Sequence, residues 1–403
     1  MRVSTAQFYF QNSQRLSDKQ SGVNDQMKYI SSGKRVLTAK DDAVSYGTLT
    51  GYKNELTNLE KYQRNIVQAK NRNNLQDTSF ANAESLMQEL KQLFIQANNG
   101  SLSDEDLKSL AQLAGNSQSQ MLDIANTKDE TGGYIFAGYQ IEKRPFNLQP
   151  DNSVVYVGDS GKREVQVAKN VMVETNQPGD EAFEKVENAI GDFTPNYVNN
   201  NSGVTVQRAV IADPSSYDPI TSPGDYKFVF TSPTDLTVVD NNGAGATVFS
   251  TTSYVPGQTI AFNGIEVQLS GNPLPGDEFD ITPTEEISLF DTIKAAIDWM
   301  NVGDNPADPV QHGVDYGEIL TQLNEGLNHI TSRRTDAGIR LKLIETQENN
   351  HADAELIMSA NRSNIEDLDF AKAIATFEQS QVALQAAQQT FVQIKGLSLF
   401  NYI

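Results

Sequence analysis

FAKAIATFEQSQVALQAAQQTF, residues 370–391, is the stretch whose reading decides the fold. An apolar residue returns every seven positions, at Phe370, Phe377, Leu384 and Phe391, with Ile374 between the first two. Sustained heptads place one stripe along a helix, and such a stripe needs a partner along its length. The other end of the chain supplies one. Ala6, Tyr9, Leu16, Val23, Met27 and Ile30 share one a/d register, with Ser13 and Gln20 as its polar members. Gly33 is placed to end that helix, and Lys34 and Arg35 suit the negative pole of its dipole. The two ends are therefore expected to pair as a coiled coil.

Proline supports long helices well beyond these stripes. The first proline is Pro145 and the last is Pro309, so both ends lack the residue that breaks helix interiors. A second pattern begins near Tyr46, with Leu49, Leu56, Leu59 and Ile66. It continues through Phe80, Ala83, Met87, Leu90, Phe94 and Ala97, and Asn98-Asn99-Gly100 stops it. At 1.5 Å per residue, a helix from 46 to 98 would be roughly 80 Å long. Ser103 then reads as an N-cap, with Asp106 three residues on in a variant of the capping box. Leu107, Leu110, Ala114, Ser117, Met121 and Ile124 give the next helix its stripe. Leu320, Leu323, Leu327, Ile330, Ala337, Leu341 and Ile344, with Arg334 as a polar member, mark another.

The middle of the chain has a different texture. Short β-branched runs lie between Gly, Pro, Asn and Asp: Val154–Val157, Glu164–Ala168, Tyr226–Phe230, Leu236–Val239, Thr259–Phe262, Ile265–Leu269 and Phe279–Ile281. This spacing predicts antiparallel strands, interrupted by a helix over Glu181–Ile190 and followed by one over Leu289–Met300. The fold class is mainly α with an inserted β domain, the long terminal helices packing as a coiled-coil or bundled rod. Three parts are expected. Residues 1–44 and 366–403 would form a terminal coiled-coil polymerisation domain. Residues 45–190 and 285–365 would form a helical rod with a β-hairpin region near 134–175. Residues 191–284 would form an inserted β domain projecting outward.

Composition excludes more chemistry than it suggests. The 403 residues include no cysteine, so disulfides, thiolate nucleophiles and cysteine-held metals are ruled out. His312, His329 and His351 form no metal motif, and His329 and His351 read as surface or seam residues. Gly158-Asp-Ser-Gly161-Lys162-Arg163 lacks the phosphate-loop spacing and reads as a hairpin turn. Asp240-Asn241-Asn242-Gly243 lacks the later glutamate of a calcium loop and reads as a turn. Asp277, Glu278 and Asp280 read as surface charge. No set of residues supports an enzyme, and no cofactor or metal is expected. The net charge is −21, with a basic excess confined to the N-terminal part, which argues against nucleic-acid binding. No apolar run is long enough to insert in a membrane, and the N-terminus has no Sec-type h-region. Phe8, Tyr9 and Phe10 are three successive aromatics that one partner helix cannot bury together, which points to contact between subunits.

These terminal patterns resemble those of a known family. Met1-Arg2-Val3-Ser4-Thr5, Ser31-Ser32-Gly33-Lys34-Arg35-Val36 and Ala39-Lys40-Asp41-Asp42-Ala43 look like the N-terminal signature of the bacterial flagellin superfamily. Asp367-Leu368-Asp369-Phe370-Ala371 and Leu384-Gln385-Ala386-Ala387-Gln388 resemble its C-terminal signature. Within the superfamily the likeness is to members of the hook–filament junction. Gly132–Gly138, Val155–Asp159 and the ending Leu397–Ile403 carry it, since a flagellin usually ends close to Leu-Leu-Arg. The stretch from Gly257 to Pro283 also resembles a β domain found in hook-associated proteins.

The resemblance implies a structural, extracellular part of the flagellum. The chain would be made in the cytoplasm and held there by a flagellar export chaperone that binds the C-terminal helix, for which Phe370, Phe377, Leu384 and Phe391 are the candidates. It would pass unfolded through the type III export apparatus without a Sec signal. It would then assemble with its own copies as a ring-like layer between hook-associated protein 1 and flagellin. Candidate assembly residues are Phe8, Tyr9, Phe10, Leu16, Val23, Met27, Ile30, Phe370, Ile374, Phe377, Leu384 and Phe391. The family places the last helix at the central channel. Its face bearing Ala375, Gln379, Val382, Ala386, Gln389, Gln393 and Gly396 has no charge, and Gln379, Gln389 and Gln393 are candidate channel-lining residues. The alternatives are a filament-forming flagellin and a secreted carbohydrate-binding adhesin.

Overall fold

The computed structural model describes residues 5–218, 224–241 and 245–400, and the side chains at 5, 6, 8 and 394–400 fall outside it. Met1–Ser4, Asn242, Gly243, the terminal Asn401–Ile403 and the side chains of Ala6 and Phe8 therefore lie outside the described residues. So does Gly396's place on the uncharged face of the last helix.

The chain forms two compact units. The first comprises residues 1–64 and 346–403, the second residues 65–345. The division falls inside the two longest helices, not at their ends.

In the terminal unit, helix α1 (Thr5–Ser32) is followed by the first part of α2 (Ala43–Ala97). The unit is completed by the end of α5 (Pro309–Glu366) and by α6 (Phe370–Phe400). Helices α1 and α6 run antiparallel. Tyr9 meets Phe391 edge to face, ring centroids 6.4 Å apart, while Phe370 lies against Gly33 at the other end. Gly33 takes φ +68°, which turns the chain out of α1.

The helical part of the second unit is built on one apolar core. Phe80, Ala83, Met87, Leu90 and Phe94 of α2 are buried, as the spacing predicts. They pack with Leu107, Leu110, Ala114 and Met121 of α3 (Asp104–Ala125) and with Leu289, Phe290 and Ile293 of α4 (Leu289–Val302). Leu323 and Ile330 of α5 complete the layer. Helix α3 starts at the expected capping box: Asp106 N–H donates to Ser103 Oγ, and Ser103 N–H donates to the Asp106 carboxylate at 3.0 Å. Gly326 has no side chain because α4 and α2 leave no room. A Cβ there would stand 2.6 Å from Leu289 Cδ1 and 3.2 Å from Met87 Cε.

Short strands cover this bundle. Strand β1 (Phe146–Leu148) pairs with β2 (Val154–Tyr156), and β3 (Glu164–Ala168) pairs with β4 (Val171–Glu174). The Gly158–Arg163 loop is thus not the turn of a hairpin between β2 and β3, because each strand has a different, nearer partner. It joins two hairpins, and Asp159 orders it by accepting from the amides of Tyr139 and Gly161.

The helix expected over Glu181–Ile190 is reduced to one wide π-type turn at Asp180–Glu184, followed by β5 (Val186–Glu187). Phe183 is drawn into a cluster with Phe80, Phe136, Phe146 and Phe290, and this tertiary packing overrides local helix propensity.

Strand β5 pairs with β14 (Glu286–Ile287), so the chain enters and leaves the β domain side by side. Between them, β6 (Phe193–Asn199), β8 (Tyr226–Phe230), β9 (Leu236–Asp240), β10 (Ala246–Thr251) and β13 (Glu278–Pro283) form an antiparallel sheet in the order β10-β9-β8-β13-β6. A second sheet has the order β11-β12-β7, from β7 (Thr205–Ile211), β11 (Thr259–Phe262) and β12 (Ile265–Ser270). Alternate residues point into a shared core, where Phe228 stacks on Phe279 with centroids 4.7 Å apart.

One reading of a polar residue is corrected here. Asp277 is wholly buried: it accepts from Ser202 Oγ and from the amides of Asn201 and Leu274, tying the β6–β7 turn to the approach of β13. Glu278 and Asp280 do stay near the surface, where Glu278 pairs with Lys227 at 2.6 Å. His329 and His351 are both buried, which meets the seam half of their expected reading. His329 Nε2 lies 3.0 Å from the Glu181 carbonyl, and His351 packs against Tyr62.

Candidate assembly site on the terminal helices

The site is built where α1 ends and α6 begins. Once Gly33 has turned the chain, Arg35 N–H donates to the Glu366 carbonyl at 2.7 Å, and Leu368 N–H donates to the Gly33 carbonyl at 3.0 Å. This short antiparallel bridge joins Ser31–Val36 to the Asp367–Ala371 segment. Both carry the terminal signatures.

Side chains reinforce the bridge. Glu366 is buried, and its Oε1 accepts from Lys34 Nζ at 2.6 Å and from Lys53 Nζ at 2.8 Å. Burial pushes the Glu366 carboxyl up, but the two lysines outweigh it and hold it below the usual glutamate range. Asp41 accepts from Tyr29 Oη at 2.7 Å and from the amides of Leu37 and Thr38. The Tyr29 hydrogen bond leads these in holding the Asp41 carboxyl down to about 2, and the same bond pushes the Tyr29 hydroxyl up to about 12. Asp42 opens α2 by accepting from Ser45 N–H. The Asp41-Asp42 pair therefore shapes the loop between α1 and α2.

Beyond the bridge, the α1–α6 seam differs from the expected one by one position. On α1, Val23 is buried, with Tyr9, Asn12, Leu16, Gln26 and Ile30 partly buried, whereas Met27 is 55% exposed. On α6, Ala373 is buried, with Phe377, Ser380, Leu384, Ala387 and Phe391 partly buried, whereas Ile374 is 46% exposed. From Tyr9 to Ile30 on α1 and from Phe377 to Phe391 on α6 the heptad residue stands in the seam. A position three after a heptad residue joins it at Asn12, Gln26, Ala373, Ser380 and Ala387, though not at the exposed Lys19. The expected seam took the fourth. Small or amide residues at 12, 26, 373, 380 and 387 let the two helices approach, and the larger Met27 and Ile374 are left outside.

Of the other candidate residues, Phe10 and Phe370 are largely exposed even though Phe370 touches Gly33. Gln379, Gln389 and Gln393 are exposed, beside the equally exposed Val382 and Val392. Two half-buried helices therefore carry a second, uncovered set of apolar and amide side chains. Lys53, Asp41 and Tyr29 belong to the junction and were not singled out by periodicity, since each acts through a polar contact off the apolar stripe. Among the described residues no group of three metal-ligating side chains is close enough to hold an ion. Among them, too, no helix is long and apolar enough to cross a membrane.

This arrangement has known counterparts. The bacterial flagellin N-terminal helical region matches residues 3–141, and the bacterial flagellin C-terminal helical region matches residues 320–403. The chain belongs to the bacterial flagellin family, whose members are structural proteins and not enzymes. Over its whole length it is similar to flagellar hook-associated protein 3 of Escherichia coli K12, at 24% identity with 100% of this chain and 99% of that protein covered. Its fold is similar to that of the flagellar junction protein FlgL from Legionella pneumophila, at 29% identity and a TM-score of 0.64, covering 79% of this chain and 99% of that one. FlgL from Xanthomonas campestris is also similar, at 25% identity and a TM-score of 0.63, covering 77% of this chain and 99% of that one.

Proposed function

We propose that this protein forms the junction layer of the flagellum, a ring-like tier of its own copies that joins hook-associated protein 1 to the flagellin filament. The observation that carries this reading is the end-to-end likeness to hook-associated protein 3, which includes the β domain as well as the helical ends. The terminal unit supplies the physical means. An isolated pair of half-buried helices gains little from its own seam. Neighbouring copies that cover Phe10, Met27, Ile374, Val382 and Val392 would supply the missing burial. Ordering of the ends is thereby coupled to assembly, and premature polymerisation is disfavoured.

Before assembly, α6 with Phe370, Phe377, Leu384 and Phe391 is the segment a cytoplasmic export chaperone would hold. Unfolded passage through the type III apparatus is compatible with a chain that has no cysteine. After assembly, the Gln379, Gln389 and Gln393 face would line the channel and offer passing chains few charge contacts. The inserted β domain would face outward.

A deletion strain tests the reading. Hooks should form without filaments, and flagellin should accumulate in the medium. Normal filaments on that strain would refute it. The second reading, a filament-forming flagellin, is favoured by the family match at both ends. Purified protein that polymerises into long filaments without other components would establish it.

A further inference from the structure

Where the β domain meets α5, the helix presents a polar stripe. Gln311, Asp315, Glu318 and Gln322 are spaced four, three and four residues apart, so they share one face. Gln311 Oε1 accepts from Asn200 Nδ2 at 3.0 Å, while Gln311 Nε2 donates to Asp315 Oδ1. Gln322 Oε1 accepts from Ala189 N–H, and Gln322 Nε2 donates to the Glu187 carbonyl. At the centre, Tyr197 Oη donates to Glu318 Oε1 at 2.5 Å and accepts from Val206 N–H at 3.0 Å. One hydroxyl thus bonds β6, β7 and α5 together.

The titratable groups facing Glu318 are Tyr197 from β6 and Asp315 on its own helix. Strand β7 brings Thr205, Val206 and Gln207, and the neck before β6 brings Ala189 and Ile190, none of them charged. Among the described residues no cation pairs with Glu318. A groove of about 620 Å³, walled by those residues with Gly203, Val310, Gly313, Val314, Gly317 and Thr321, runs beside the carboxyl and gives water a path to it.

We propose that the Tyr197–Glu318 contact is a proton-dependent latch that holds the β domain on α5, closed while Glu318 is neutral and loosened when it ionises. An ionised Glu318 would be a partly desolvated charge next to Asp315, and its easiest relief is to turn into the groove and take up water. That movement removes the acceptor that fixes Tyr197, and with it the orientation of the bond to Val206. Burial, countered by the Tyr197 hydrogen bond and aided by the Asp315 carboxylate, pushes the Glu318 carboxyl up to about 7. The latch is therefore complete below the ordinary glutamate range and is lost as pH rises through about 7.

Hydrogen exchange of the full chain, followed by mass spectrometry from pH 5.5 to 8.5 and corrected for intrinsic exchange, tests this. Protection over residues 193–211 should fall about tenfold between pH 6 and pH 8. Glu318→Gln should remove that dependence, and Asp315→Asn, which takes away the like charge that helps raise the carboxyl, should move its midpoint to lower pH values. Glu184→Gln, which alters another acid titrating in the same range, should leave it unchanged. A flat wild-type profile would overturn the latch, as would the same fall in a folded Glu318→Gln protein or its disappearance in Glu184→Gln. If Glu318→Gln does not fold, an unmoved midpoint in Asp315→Asn overturns it.

Discussion

Phe370 lies across Gly33, its ring carbon 3.5 Å from where a Cβ on the glycine would stand. The first residue of α6 thus caps the turn that ends α1, at a backbone angle that L side chains rarely adopt. Gly33→Ala combines a left-handed backbone with a filled contact. It should destabilise the terminal unit by about 1 kcal/mol, read as faster amide exchange over residues 29–36 and 366–370.

Glu366 should be the more sensitive half of its ion cluster. Glu366→Gln leaves Lys34 and Lys53 without their shared acceptor charge. Because both lysines are nearly half exposed, the expected loss is only about 1–2 kcal/mol in the unfolding of the terminal unit. Since the folded carboxyl is held below its unfolded value, this contribution is present above the ordinary glutamate range. It is lost as pH falls through the depressed value. Wild type and variant should therefore converge in acid, as followed by thermal melts at stepped pH.

Seam and uncovered face can be separated by paired substitutions. Phe377→Ala removes a half-buried seam residue and should cost about 2 kcal/mol in the free protein, detected as lost protection over α1. Val382→Ala should stay within about 0.5 kcal/mol in the free protein, yet lower the yield of assembled layers. Equal assembly by Val382→Ala and wild type would remove the uncovered face from the assembly site.

In the β domain, Asp277→Ala strips a buried acceptor from two partly buried amides and one hydroxyl. A loss of about 3 kcal/mol is expected, measured by urea unfolding. A result near zero would mean that water satisfies those donors.

Glu184 provides a titration away from the β domain. Burial pushes its carboxyl up to about 7, and the Ser288 hydrogen bond does not offset this. An acid raised in the fold contributes fully below its unfolded value and loses that contribution as pH rises through about 7. Stability should fall between pH 5 and pH 8, and Glu184→Gln should recover about 2 kcal/mol at the upper end.

The broad division of the chain was legible because proline placement and apolar spacing report directly on helix interiors. Phe80 to Phe94 and the Ser103–Asp106 cap could be read in this way. The α1–α6 seam was half legible. Heptads identified Leu16, Val23, Phe377 and Leu384, but the choice between Asn12 and Ser13, or Ala373 and Ile374, depends on how closely two helices approach. Apolar character favours Ile374, whereas close packing favours Ala373. Contacts between distant segments left almost no local trace. Asp277 reads like any turn carboxylate until Asn201 and Ser202 are brought to it, and Phe183 reads as helical until four other phenylalanines claim it. Glu318 looks like an exposed helical glutamate until Tyr197 covers it.

The bridge between Gly33–Arg35 and Glu366–Leu368 includes a side-chain bond between residues 332 positions apart. Forming such a contact first from an unfolded chain would require closing a very long loop for a few hydrogen bonds, which is entropically unfavourable. Once the helices and the β domain between them have folded, most of that entropy is already gone. The bridge is therefore set to form late, as a report that everything between its two halves is in place. A chain whose middle has not folded leaves its two ends unjoined, and the geometry from which α1 and α6 pair is withheld until the rest of the molecule is complete.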